Sequence, residues 1–204
     1  MGNDLILSGN GTTAGGTFEK VRINGNGTVN GDVSCHSFHC NGSGKINGDV
    51  QAEEAHIKGS TKIMGSFMAE TLDVQGSTTI EGQASLKKLS VKGSTSISKG
   101  INADKVDMQG SLKVGGDCEA EEVEFKGGFT IDGLLNADKI NIELHGKSYA
   151  KEIGGETIRV TRGSSLLNLD KLFKALSKEL EAEVIEGDEI SLDYTNAKIV
   201  RGNK

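Results

Sequence analysis

Apolar residues in this chain come in pairs two apart, and the pairs recur on a seventeen-residue beat marked by Gly25, Gly42, Gly59, Gly76, Gly93, Gly110 and Gly127. Counting each of these as zero, position four reads Val29, Ile46, Ile63, Ile80, Ile97, Val114 and Ile131. Position eight reads Val33, Val50, Phe67, Ala84, Ile101, Cys118 and Leu135, and position ten is mostly small, as in Cys35, Ala52 and Ala69. Positions thirteen and fifteen hold pairs such as Leu72 with Val74 and Ile140 with Ile142. A spacing of two is the strand period, so each pair is one short strand with two inward side chains. Positions two and four supply the third pair, position two being mostly Gly or Thr and ending in Leu112 and Phe129. Three such strands per turn, offset by six, five and six residues, predict an all-β fold: a single-stranded triangular β-helix with rungs stacked at about 4.8 Å.

The pattern also divides the chain. Residues 1–163 read as the repeat domain. Leu5 and Leu7 precede Gly9 as Leu72 and Val74 precede Gly76, so Leu5-Ile6-Leu7 reads as the closing strand of an incomplete first rung rather than as a membrane-anchoring tail. After Gly127 the frame slips, Gly146 arriving two residues late, which calls for a longer corner or a bulge. Residues 164–182 change period: Leu166, Leu169, Leu172, Phe173, Leu176 and Leu180 follow helical spacing, with Lys and Glu opposite, and predict one C-terminal amphipathic helix. Its apolar stripe is expected to lie on the β-helix, the other reading being that it touches a membrane or a partner. Residues 183–204 return to strand habits at Ile185, Ile190, Leu192, Ala197, Ile199 and Val200, as a further rung.

Composition sharpens this picture. Proline is absent from all 204 residues, as suits a chain whose N–H groups nearly all feed ladders between rungs. Tryptophan is absent too, which fits a narrow bore. The balance of 23 Lys and Arg against 29 Asp and Glu argues against a nucleic-acid partner, which needs a basic stripe to neutralise phosphates. There is no long apolar run and no signal peptide, and the three cysteines suit a reducing compartment, so the expected location is the cytoplasm.

Candidate chemistry is thin. Cys35-His36-Ser37-Phe38-His39-Cys40 has the look of a metal knuckle, but its parity sends both cysteines inward and both histidines outward, so the four do not converge. His39, His56 and Asp73 share the outward column at position fourteen. Adjacent imidazoles at strand spacing are able to bind a divalent ion weakly or to repel when protonated; three unrelated surface residues is the plainer reading. The Gly-x-Gly fragments open no helix, and Gly146-Lys147-Ser148 lacks the first glycine of a phosphate loop. No catalytic, cofactor-binding or metal residue is assigned, and no cofactor is expected.

Rungs such as Val21-Arg22-Ile23-Asn24-Gly25 followed by Thr28-Val29-Asn30-Gly31-Asp32-Val33 resemble the bactofilins, bacterial polymer-forming cytoskeletal proteins. The resemblance covers about residues 5 to 163. The tail, with Ile185-Glu186-Gly187 and Ile199-Val200-Arg201-Gly202, is similar to the longer Gram-positive members. It implies a right-handed β-helix that assembles end to end into nonpolar filaments without nucleotide, a scaffold for envelope or motility machinery and not an enzyme. The implied partner is another copy of the chain, with a second bactofilin or a membrane or envelope protein beside it; placement at the inner face of the cell membrane is compatible and not required. Similar long members continue past the equivalent of Gly202, so a shortened C-terminus is expected. Leu5 and Leu7 at one end, and Ile190, Leu192 and Val200 at the other, are the expected polymer faces, because an uncapped solenoid exposes unpaired backbone and a slice of core. Two alternatives stand beside this reading. One is a left-handed β-helix acyltransferase, whose hexapeptide rhythm the five-residue side breaks. The other is a monomeric scaffold docking a partner through the helix of residues 164–182.

Overall fold

The computed structural model of the protein describes residues 3–163 and 179–203. All sixteen strands of the described residues join one sheet, wound into an all-β solenoid of about 11 turns. Every pairing is parallel, and the partner offset is seventeen residues through the middle of the stack, as in Ile46 with Ile63 and Leu72 with Leu89. At about 4.8 Å per rung the stack is on the order of 50 Å long.

Each central turn is one short strand and one long one. β4 (Ser43–Asn47), β6 (Ser60–Ile63), β8 (Ser77–Ile80), β10 (Ser94–Ile97) and β12 (Ser111–Val114) form the first side. β5 (Val50–Ile57), β7 (Phe67–Val74), β9 (Ala84–Val91) and β11 (Ile101–Met108) form the other two sides, each as one strand whose ladder skips a single pair at the corner. Within β7 burial alternates until Glu70 and Thr71, two successive outward residues that turn the corner, and resumes at Leu72 and Val74. The inward pairs are those the repeat predicts. Ile63, Ile80, Ile97, Val74, Leu89 and Val106 all have almost no exposed surface, and they belong to one continuous core.

The glycine beat has a steric cause. A Cβ on Gly59 or Gly76 would sit on the carbonyl oxygen of Gly42 or Gly59, one rung below, far inside contact distance. The other corner leaves amides that side chains reach. Asp32 Oδ1 accepts from Asp49 N at 2.8 Å, Asp49 Oδ1 from Ser66 N at 2.7 Å, and Asp117 Oδ1 from Leu134 N at 2.8 Å. Asparagines stack between rungs in the same way, with Asn47 donating to Asn30 at 2.8 Å and Asn41 to Asn24 at 2.9 Å. Outward charges follow suit: Lys87 meets Glu70 at 2.6 Å and Lys105 meets Glu122 at 2.8 Å.

At the start of the chain β1 (Leu5–Leu7) pairs with the end of β2 (Asn10–Ile23), which stacks on β3 (Asn26–Cys40) with a register shift between Ala14 and Gly16. The slip read after Gly127 is a longer corner between β13 (Cys118–Leu144) and β14 (Ser148–Arg162), and a bulge between Ile131 and Leu134 then takes part of it back. The stack then continues through β15 (Leu180–Leu192) and β16 (Thr195–Gly202).

The expected C-terminal helix is corrected here. No helix occurs among the described residues, and the expected helical end is strand: Leu180, Glu181 and Ala182 pair in parallel with Ser148, Tyr149 and Ala150 on one side and Thr195, Asn196 and Ala197 on the other. Leu180 is fully buried in the column that also holds Ser148. One apolar residue serves a helical stripe or a strand pair equally well, and here rung stacking decides. Leu166, Leu169, Leu172, Phe173 and Leu176 lie outside the described residues.

Candidate functional site

The features that stand out are the two ends of the stack, where inward columns run out of rungs. At one end Leu5, Ile6 and Leu7 register with Val21, Arg22 and Ile23. Val21 and Ile23 have no exposed surface, whereas Leu5 and Leu7 are only partly covered although they pack on the same core. Phe18 is in the same condition. β1 pairs with β2 alone, so its other edge carries backbone groups with no strand partner among the described residues.

At the other end β16 pairs only with β15. Val200 continues the column of Leu135, Ile153 and Ile185. Those three are 0–1% exposed and Val200 is 51% exposed, because no rung of the described residues covers it. Ile190 and Leu192 likewise continue the columns of Ile158 and Val160 and are partly covered. Ion pairs tie this last rung down from outside: Lys198 to Glu183 at 2.9 Å and Arg201 to Glu186 at 3.3 Å. The Lys198 contact holds the Glu183 carboxyl below the usual carboxylate range.

Sequence reasoning overlooked Ile6 and Ile199, which stand 55% and 43% exposed at opposite ends. A signal for Ile6 was present: it shares the outward column with Arg22, His39, His56 and Asp73, and it is the apolar member of that column.

Elsewhere the surface offers little reactive chemistry. Cys35, Cys40 and Cys118 are buried free thiols. Burial pushes the Cys35 thiol up to about 11 and the Cys118 thiol up to about 12, and it raises Cys40 as well, so none is a thiolate nucleophile at neutral pH. His36 Nδ1 donates to the Glu53 carboxylate at 2.7 Å, and this contact raises the His36 pKa. Among the described residues no three ligating side chains converge on a metal position. A groove near the last rungs is lined by Glu152, Glu156, Glu186, Asp188 and Arg201, and Arg201 is already engaged by Glu186. No helix of the described residues is long and apolar enough to cross a membrane.

A family model described as bactofilin, polymer-forming cytoskeletal, matches residues 3–85. An uncharacterized protein of Bacillus subtilis, YhbE, is 62% identical over 201 residues, which is 98% of this chain and 84% of that protein. A second uncharacterized protein of the same organism, YhbF, is 42% identical over 60 residues, 29% of this chain and 23% of that protein. No solved structure matches the chain.

Proposed function

The chain belongs to the bactofilin family of polymer-forming cytoskeletal proteins, and from that premise we propose that it is a cytoskeletal scaffold that assembles end to end with copies of itself. The observation that carries the proposal is the fate of the core columns. The column that is closed at Ile185 emerges at Val200, and the column closed at Val21 emerges at Leu5. Apolar surface left in water at a rung face is released when another rung covers it, at roughly 25 cal/mol per Å2. The free edges of β1 and β16 then gain a backbone ladder on their open side, where every internal strand already has one. Neither driving force requires nucleotide.

The polymer faces in this proposal are Leu5, Ile6 and Leu7 at one end and Ile190, Leu192, Ile199 and Val200 at the other. A second bactofilin presents the same kind of rung face and is the natural additional partner. Attachment to an envelope protein at the cytoplasmic side of the cell membrane is the remaining part of the scaffold role. Electron microscopy of the purified chain without nucleotide or metal tests assembly. Leu5→Lys and Val200→Asp test the faces: each is expected to shorten or abolish filaments while circular dichroism stays that of a β-solenoid. Filaments unchanged in both variants assign the contact to other surfaces.

A further inference from the structure

Of the four histidines, His36 and His145 are held by carboxylates, at 2.7 Å to Glu53 and 2.9 Å to Glu143. His39 and His56 are different. They sit in register on adjacent parallel strands, their ring centroids are 5.1 Å apart with planes tilted by 59°, and neither ring makes a hydrogen bond or ion pair with the described residues. We propose that His39 and His56 form a surface site for a divalent transition-metal ion that prefers nitrogen ligands, such as Cu2+, Ni2+ or Zn2+.

The geometry fits a shared ion. With metal–nitrogen bonds of about 2.0–2.1 Å, and about 1.1 Å from nitrogen to ring centre, each centroid stands about 3.2 Å from the metal. The observed 5.1 Å separation then subtends about 105° at the ion, between the square-planar and tetrahedral angles. The χ2 torsion of histidine is broad, so each ring is able to turn a nitrogen toward its neighbour. The backbone is already fixed by seven partner pairs between β3 and β5, so the ordering cost is confined to two side chains.

Neighbouring groups hold the His39 ring toward its neutral form. Burial, the neighbouring His56 and Arg22 lower the proton affinity of His39, with Glu54 opposing and Lys58 adding to the effect. Neutral imidazole is the form that binds metal. Arg22 precedes His39 in the column and Asp73 follows His56, so the carboxylate offsets the cation from the far side. Because no third ligating side chain converges, water completes the coordination sphere. A bound ion ties two consecutive rungs across their outer face, independently of the end contacts that carry assembly.

Calorimetric titration of untagged full chain with Ni2+ tests the site. One ion per chain is expected, with affinity falling as pH drops through the imidazole range toward about 5. His39→Ala and His56→Ala are each expected to weaken binding at least about tenfold, while His36→Ala and His145→Ala leave it unchanged. Saturating Ni2+ is expected to raise the melting temperature of the unsubstituted chain and not of the double variant. Both histidines are surface residues; if an alanine variant loses its fold, His39→Gln and His56→Gln replace it. Absence of saturable binding, or undiminished binding in the double variant, overturns the proposal.

Discussion

At the scale of single residues, the solenoid is governed by what each column tolerates. The glycine column is set by distance between rungs: Gly76 has the Gly59 carbonyl where a Cβ would go, whereas a Cβ on Gly9 meets nothing within 4 Å. Gly76→Ala is therefore expected to destabilise the fold by roughly 1–3 kcal/mol, the usual range for forced overpacking, and Gly9→Ala to be near neutral in the same denaturation experiment. The threonine column makes the opposite point. Thr78 and Thr95 are buried in register, 1% exposed, and their hydroxyls have no hydrogen-bond partner. Next to them the column changes to Leu112 and then Phe129, so the site itself accepts apolar side chains. Thr78→Val keeps the shape and removes an unsatisfied oxygen. It is expected to stabilise by about 1 kcal/mol, read as a higher urea midpoint with an unchanged slope.

At the scale of elements, most of the fold was legible in the sequence because the signal is redundant. Seven turns repeat the same inward columns, so one atypical member, such as Cys118 at position eight, does not disturb the register. Cysteine and histidine parity was legible for the same reason. What misled was the one stretch with no neighbouring repeat to check it. Leu180 fits a helical stripe with Leu176, and only its ladder partners Ser148 and Thr195 show that it belongs to a rung. The exposed ends were legible as well, yet Ile6 was passed over because it lies between two core residues and was read with them rather than with its outward column. Leu180→Ala is expected to cost about 2–5 kcal/mol, as for a fully buried core leucine. An effect within a few tenths, measured by chemical denaturation, contradicts the placement of Leu180 inside the rung.

At the scale of the whole molecule, the chain is a stack whose stability is a sum over neighbouring rungs, and each terminal rung lacks one neighbour. That incompleteness is local: Ile185 is closed and Val200, one rung on, is half exposed. Surface ion pairs such as Lys105 with Glu122 lie along the sides, where Met64 and Met68 are the exposed large apolar side chains of the central rungs. In the proposed assembly growth runs along the stack axis, where the inward columns emerge at Leu5 and Val200. The most direct measurement is negative-stain electron microscopy of the purified chain in buffer free of nucleotide and metal, across a range of protein concentrations. The account predicts thin filaments about as wide as one solenoid, which shorten or vanish in Val200→Asp. Particles that stay monomeric at the highest concentration, with both ends of the chain intact by mass spectrometry, contradict it.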